Sequence, residues 1–185
     1  MQPQGTIRTE RLDLVPATRE MLAADRGDRG HLRRVLGAAI PPSWPPSLLD
    51  DATCAEFLRL MTDGTDDNFR VWYWLLRGNH GRGQTLIGSG GTSSCPQEPG
   101  TVMIGYSVAG GFEGSGYATE AVRHMIPVIF TFPGIRRIVA TTFPELKGSI
   151  RVLEKNGFVP VPAHHAGTGI GEGTIAFVRE RPGCR

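Results

Sequence analysis

The sequence predicts a mixed α/β (α+β) fold in which helices flank one central sheet. Two observations carry this prediction. Apolar and polar residues alternate in several short segments, as they do in half-buried strands. Other segments repeat apolar residues every three or four positions, as amphipathic helices do. Since these patterns follow one another along 185 residues with no linker or internal repeat, residues 1–185 are expected to form a single domain.

The first half of the chain predicts a strand, three helices and two more strands. Thr18 has a side chain suited to cap the first helix. The prolines around Trp44 interrupt regular structure, because proline lacks an N–H donor. Glycines in the last strand of this half indicate a bulge. The predicted elements are a strand at 11–16, helices near Met21 and over 27–36 and 49–61, and strands at 71–77 and 85–93.

The second half predicts alternating strands and helices. Pro127 deletes a backbone hydrogen bond and should kink its helix. Gly157 follows the next helix and suits its C′ position. The predicted elements are a strand at Thr101–Val108, a helix at 117–132, a strand at 136–142, a helix at 147–156 and a last strand at 172–179.

A glycine-rich segment, residues 111–118, lies between the strand Thr101–Val108 and the helix after it. Gly114 and Gly116 tolerate positive φ and let the backbone approach a ligand closely. Successive N–H groups and the helix dipole then create a site for phosphate or diphosphate. The G-x-x-G-x-G order matches neither the dinucleotide fingerprint nor the P-loop, so an ordinary glycine-rich turn stays open as an alternative.

Composition excludes several classes of protein. The formal net charge is only +2, and no basic run alternates with aromatic residues, so no nucleic-acid partner is expected. No apolar run is long enough to cross a membrane, and no membrane partner is expected. Three distant cysteines form neither a disulfide framework nor a zinc spacing, which favours a cytoplasmic location. His164-His165 has no further ligands at metal spacing, so no metal is expected.

Three ordered blocks resemble the GNAT superfamily of N-acetyltransferases, in the branch of the ribosomal-protein N-terminal (RimJ/RimL-type) acetyltransferases. The first is the run TERLDL that begins at Thr9, the second joins IGY at Ile104 to GSGYATEA at Gly114, and the third is SIRVLEKNGF at Ser149. The blocks span nearly the whole chain. The resemblance implies the acyl-CoA N-acyltransferase fold, a mostly antiparallel central sheet that splays between the family's fourth and fifth strands. Those strands are expected at Thr101–Val108 and 136–142.

The resemblance also implies an activity. It predicts an acetyl-CoA-dependent N-acetyltransferase that transfers the acetyl group directly to a primary amine, on a protein N-terminus or a small molecule. Acetyl-CoA is then a cosubstrate, and a backbone N–H near Val108 is expected to polarise its thioester carbonyl. The main chain around Tyr106 should pair with the pantetheine arm, and residues 113–118 should bind the diphosphate. The expected cofactor-binding residues are Tyr106, Ser107, Val108, Glu113, Gly114, Ser115, Gly116, Tyr117, Ala118 and Arg151.

Two residues are the candidates for proton transfer. Ser149 is the nearest hydroxyl that could protonate the departing thiolate, although a serine at a helix start is also a common cap. Glu172 opens the last predicted strand and is the candidate general base, although a solvated turn residue is the alternative. Glu120 lies one turn into its helix and is expected to be structural. Trp44 could line the acceptor pocket or simply anchor its loop.

The chain departs from the family pattern at four positions. Gly111 replaces Gln or Arg, and Glu113 stands where relatives often carry a basic residue, so weaker CoA affinity is expected. Leu146 and Leu153 replace an asparagine and a tyrosine. These departures leave a second function open, a non-catalytic CoA-binding or sensing module of the same fold. Dimers are common among the relatives, so a homodimer is also open.

Overall fold

The computed structural model describes residues 5–46, 49–64, 66–78, 83–162 and 173–183. Within these ranges the strands and helices follow the order that the sequence predicts, with three short strands in addition. The elements are β1 (Ile7–Arg8), β2 (Leu12–Pro16), α1 (Arg19–Gly27), α2 (Arg29–Leu36), β3 (Ala38–Ala39), α3 (Asp51–Asp63), β4 (Arg70–Leu76), β5 (Gln84–Ser94), β6 (Thr101–Val108), α4 (Tyr117–Ile129), β7 (Arg137–Thr142), α5 (Lys147–Lys155), β8 (Val159–Val161) and β9 (Ile175–Glu180).

The strands form one mixed sheet in the order β1-β2-β4-β5-β6-β7-β9-β8, with β3 beside β5. Neighbouring strands are antiparallel except at two places, β3–β5 and β6–β7, where they run parallel. A parallel pair needs a crossover, and α4 supplies it between β6 and β7. The predicted fold, a mostly antiparallel sheet flanked by helices, is confirmed.

The sheet opens between β6 and β7. Pairing of these two strands covers only 101–103 on β6 and 137–139 on β7. Beyond Met103, β6 continues to pair with β5 as far as Val108 but no longer pairs with β7. The two strands therefore part as they run towards the glycine-rich segment, which confirms the predicted splay. It leaves residues 104–108 with one backbone edge that no described strand covers.

The two largest apolar clusters lie on opposite faces of the sheet. One contains the inward faces of α4 and α5 together with Trp72 and Trp74, and these tryptophans are core residues as predicted. The other contains α1, α2 and Trp44. Trp74 lies across the glycines of β5, since a Cβ at Gly90 would stand 2.7 Å from its ring. The register of β4 against β5 shifts at the same place, which is the predicted bulge.

Several predicted boundaries are wrong. The helix predicted over 27–36 begins at Arg29, because α1 extends to Gly27 and the side chain of Asp28 then accepts a 2.8 Å hydrogen bond from the N–H of His31 and so starts α2. The helix predicted over 117–132 ends at Ile129, and the following residues form tighter turns, such as the bond from Thr131 N–H to Val128 O. The last strand begins at Ile175 rather than 172.

Candidate functional site

The candidate site lies where β6 and β7 part, next to the loop that joins β6 to α4. β6 ends as the N–H of Ala109 donates a 2.8 Å hydrogen bond to the carbonyl of Ile87. The loop then takes left-handed backbone conformations at Gly111, Gly114 and Gly116, with φ of 86°, 73° and 83°. Only glycine adopts this region without strain, so the sequence dictates the path of the loop.

The helix after this loop begins without a side-chain cap. Its N-cap residue is Gly116, which has no side chain to accept from the first turn. The first helical backbone bond runs from the N–H of Glu120 to the carbonyl of Gly116 over 3.0 Å. The N–H groups of the first turn therefore have no acceptor within the helix. Together with the helix dipole, they make this helix start fit an anion.

A buried carboxylate fixes the first turn of α4. Glu120 accepts hydrogen bonds from the Thr9 hydroxyl at 2.5 Å, from the Arg11 backbone N–H at 2.7 Å and from Arg11 Nε at 2.6 Å. Burial acts to raise the pKa of Glu120, but these hydrogen bonds outweigh it and hold that pKa below its ordinary value. Glu120 therefore joins the segment before β2 to α4, in agreement with its expected structural role.

Arg11 is a residue of this site that the sequence reasoning missed. Its Nη1 donates a 3.0 Å hydrogen bond to the carbonyl of Ser115, and its guanidinium carbon lies 4.3 Å from the centre of the Tyr117 ring. The signal that could have identified Arg11 was the resemblance itself, because TERL at Thr9 belongs to its first block and ATEA at Ala118 belongs to its second. The structure shows that these blocks contact each other directly.

Helix α5 supports the same turn from another direction. Asn156, at its C-terminal end, is buried and donates from Nδ2 to the carbonyl of Thr119 at 3.2 Å and to that of Val152 at 2.8 Å. Gly157 follows with φ of 74°, which matches its predicted C′ position. The C-terminus of α5 and the N-terminus of α4 are therefore held together beside the opening in the sheet.

Tyr106 and Ser149 meet across the opening. The phenol oxygen of Tyr106 lies 3.2 Å from both the hydroxyl and the carbonyl oxygen of Ser149. The N-cap of α5 is Leu146, with no side-chain hydrogen bond, so the reading of Ser149 as a cap is wrong. Burial raises the pKa of Tyr106 to about 12, only partly offset by its hydrogen bond to Ser149. The phenol is therefore protonated at neutral pH and can act as a donor.

The remaining predicted residues differ in exposure. Ser107 and Val108 are half-buried on β6, and Tyr117 and Ala118 are half-buried at the start of α4. The exposed ones are Glu113, Gly114, Ser115, Gly116 and Arg151. Glu172 and His164-His165 lie outside the described residues. Leu153, in the position of the family's tyrosine, is fully buried in the apolar cluster that also contains the inward face of α4.

The loop before α3 contacts the β6–α4 loop. The Ser43 hydroxyl donates a 2.8 Å hydrogen bond to the carbonyl of Gly110. Its neighbour Trp44 is 1% exposed and donates from Nε1 to Asp25 at 2.7 Å, and Tyr73 donates to the same carboxylate at 2.8 Å. Burial raises the pKa of Asp25 despite these two hydrogen bonds. Trp44 is thus a packing anchor rather than an open wall of a pocket.

Two further features bear on the class of site. Across the described ranges, no three His, Cys, Asp or Glu side chains gather in an arrangement that could hold a metal ion. None of the helices in the same ranges has the length and apolar character needed to span a membrane.

Comparison with known proteins assigns the family. Residues 12–159 match the family model described as an acetyltransferase (GNAT) domain. The chain belongs to the GNAT acetyltransferase family. The predicted resemblance is confirmed, and GNAT domains are acetyl-CoA-dependent acyltransferases. The matched range runs from β2 to the first residue of β8 and so includes the opening, the glycine-rich loop and α5.

Individual relatives are more distant. An uncharacterized N-acetyltransferase of Bacillus licheniformis, p20, is 37% identical over 73 residues, which make up 40% of this GNAT chain and 41% of p20. The solved ribosomal-protein-S5-alanine acetyltransferase of Vibrio fischeri is 17% identical, with a TM-score of 0.63 over 97% of this chain and 98% of that one. AAC(6′)-Ib in complex with ribostamycin and coenzyme A is 19% identical, with a TM-score of 0.62 over 93% and 94% of the two chains. At these identities the solved structures show the shared fold alone.

Proposed function

We propose that this GNAT domain is an N-acetyltransferase that moves the acetyl group of acetyl-CoA directly to a primary amine. One observation carries the proposal: the sheet opens between β6 and β7 at the point where α4 begins with uncapped N–H groups. The opening offers a free strand edge, and the helix start offers an anion site. Acetyl-CoA has one chemical group for each, the amide-containing pantetheine arm and the diphosphate.

The chain's own groups fit this cosubstrate. The main chain of Tyr106, Ser107 and Val108 provides N–H and C=O groups on the free edge, and a pantetheine arm can pair with them as an added strand does. The backbone N–H groups of residues 113–118 face the diphosphate in this proposal. Arg151 is exposed on α5. Its contact with the nucleotide phosphates remains a prediction.

Acetyl transfer to an amine places three requirements on the protein. Acetyl-CoA supplies a thioester whose carbonyl carbon bonds to the amine nitrogen as the carbon–sulfur bond breaks. The chain must remove a proton from the amine, since both an alkyl amine, with an ordinary pKa near 10.4, and an α-amino group, with one near 7.7–8.0, are mostly protonated at pH 7. It must stabilise the oxyanion, a role we assign to the backbone N–H near Val108. It must also provide a proton for the departing thiolate.

Ser149 is the proposed donor to the thiolate. Tyr106 is protonated at neutral pH and lies within hydrogen-bond distance of the Ser149 hydroxyl, so it can orient that hydroxyl and replace the proton given up. The demand on this pair is modest, because a thiol with an ordinary pKa near 8.5 gives a fair leaving group. Glu172 is the proposed general base for the amine.

The acceptor is proposed only as a class. Among proteins of the same fold, one is named for acetylating an alanine of ribosomal protein S5, and another was solved with the aminoglycoside ribostamycin. Both a protein N-terminus and a small-molecule amine are therefore acceptors worth testing. The loop containing Ser43 contacts the β6–α4 loop at Gly110, and we place the acceptor beside this contact.

The test is a panel of amines with acetyl-CoA, scored by release of free thiol, beside calorimetric titration with CoA. The panel contains peptides with different first residues, polyamines and aminoglycosides. Thiol release that requires one class of amine supports the proposal and names the acceptor. CoA binding without thiol release from any amine would instead support the non-catalytic module, for which the replacement of polar groups by Leu146 and Leu153 is the observation in favour.

A further inference from the structure

The proposed diphosphate site carries no positive side chain of its own. Within residues 111–118 the one charged side chain is that of Glu113, which is exposed. A diphosphate brings negative charge to this loop, and backbone amides alone provide only partial charges to balance it. A cation from elsewhere in the chain would therefore strengthen binding, and the structure contains one in contact with the loop.

That cation is Arg11, from the turn before β2. Its Nη1 donates to the carbonyl of Ser115, and its guanidinium stacks on the Tyr117 ring at 4.3 Å. Its Nη2 lies 3.5 Å from the position that a Cβ on Gly116 would take. The guanidinium thus contacts Ser115 and Tyr117 and lies beside Gly116 at the start of α4, where the uncapped N–H groups lie.

Glu120 holds the guanidinium in this place. One carboxylate oxygen accepts from Arg11 Nε at 2.6 Å, and the other accepts from the Arg11 backbone N–H and the Thr9 hydroxyl. Because both oxygens are engaged, the carboxylate is directed at its partners and not at the loop. Because its Nε is already held by a hydrogen bond, the planar guanidinium of Arg11 has a fixed orientation. Less side-chain conformational entropy is therefore lost when it binds an anion.

Arg11 also has N–H donors that are not used within the described residues. A guanidinium carries five N–H groups, and Arg11 uses Nε and one hydrogen of Nη1. No acceptor for Nη2 is found in the part of the chain that the structure describes, and the side chain is 44% exposed. Arg123 on α4 and Lys147 and Arg151 on α5 are also exposed cations, but among the described residues none has a contact that fixes it against the loop.

We infer that Arg11 is a cofactor-binding residue that donates through Nη2 to the diphosphate of acetyl-CoA. This inference rests on the proposed function, because it takes the loop at residues 113–118 as the diphosphate site. It assigns to Arg11 the positive charge that residues 111–118 themselves lack. Glu120 is then a positioning residue that acts through Arg11.

The test compares ligands that keep or lack the diphosphate. Binding of CoA, dephospho-CoA and pantetheine is measured by calorimetry or by competition for wild type, Arg11→Met and Arg11→Lys, with Arg33→Met as the matched control on the exposed face of α2. We expect Arg11→Met to weaken CoA and dephospho-CoA about tenfold or more, since charge-assisted hydrogen bonds are strong. Pantetheine should change less than about twofold, because it lacks the group contacted. Arg11→Lys should fall between, and Arg33→Met should match wild type.

Three results would overturn the inference. Equal weakening of all three ligands would show that Arg11 only shapes the site. Weakening of CoA with no change in dephospho-CoA would place its contact at the 3′-phosphate. Unchanged CoA binding would show that Arg11 makes no contact that matters. Wild-type protein that binds CoA but transfers no acetyl group would refute the proposed function and leave the inference about Arg11 standing.

Discussion

The phenol oxygen of Tyr106 lies 3.2 Å from the hydroxyl oxygen of Ser149, and the two side chains come from opposite sides of the opening in the sheet. If this pair protonates the departing thiolate, Ser149→Ala should lower kcat about a hundredfold and leave the KM for acetyl-CoA nearly unchanged. Steady-state kinetics with saturating amine measures both. Ser93→Ala, at the far end of β5, is the control. A Ser149→Ala enzyme with wild-type kcat across the pH range would contradict the assignment.

Tyr106→Phe tests whether the phenol acts through Ser149. The ring stays in place, and only the hydroxyl that contacts Ser149 is lost. We expect kcat to fall by a smaller factor than in Ser149→Ala, about three- to tenfold. The double variant should be no slower than Ser149→Ala alone, because residues that act as one unit do not lose activity independently. Two effects that multiply in the double variant would show that each hydroxyl acts by itself.

Gly116→Val should abolish CoA binding by closing the anion site. Gly116 has φ of 83°, a conformation strained for any side chain, and its Cβ position lies 3.5 Å from Arg11 Nη2. Gly134→Val is the matched control, since Gly134 has φ of 75° in the turn between α4 and β7 with open space around it. Both variants should lose about 1–2 kcal/mol of stability from backbone strain. Only Gly116→Val should lose binding in calorimetry, and equal binding by the two variants would refute the site.

Glu120 should make the protein sensitive to acid. Its pKa in the folded chain lies below the ordinary value, so its contribution to stability is present above the unfolded pKa of about 4.3 and is lost as pH falls through the folded pKa. Glu120→Gln should lower the free energy of unfolding by about 1–3 kcal/mol at pH 7 and flatten the loss of stability below pH 4.3. Denaturant unfolding at several pH values measures both.

Glu56→Gln is the control for this prediction. Glu56 also pairs with an arginine, but the pair is exposed on α3, and exposed ion pairs contribute little. Its stability at pH 7 should therefore stay close to that of wild type. A Glu120→Gln variant with an unchanged acid transition would show that the hydrogen bonds from Thr9 and Arg11 are not coupled to folding.

The sequence was sufficient for the fold and for the main chain of the site. Alternation on Thr101–Val108, the glycines of the following loop and the helical spacing after Tyr117 are local signals, and local signals specify strand, turn and helix. The short strands were missed because two or three residues cannot show alternation. The boundary at Asp28 was missed because a capping side chain in the middle of a polar helical pattern resembles any other polar residue.

Side-chain partners across the fold could not be predicted in the same way. Arg11 and Ser115 are 104 positions apart in sequence, and no local pattern states which strand end meets which helix start. The pairing of Tyr106 with Ser149 likewise depends on how far β6 and β7 part. The sequence shows that Leu153 replaces the family's tyrosine, but only the fold shows that its side chain is buried in the core.

Asp25 should tolerate asparagine but not alanine. Its two oxygens accept hydrogen bonds from Trp44 and from Tyr73. Burial raises the pKa of Asp25 above its unfolded value, so the contribution of this carboxyl group to the free energy of unfolding is lost as pH rises through the raised pKa. Asparagine can accept from the indole and donate to the phenol, so Asp25→Asn should stay within about 1 kcal/mol of wild type and lose that pH dependence. Asp25→Ala leaves two buried donors unpaired and should cost about 2–4 kcal/mol. Denaturant unfolding with exposed Asp67→Asn and Asp67→Ala as controls measures this, and equal losses in the two Asp25 variants would contradict it.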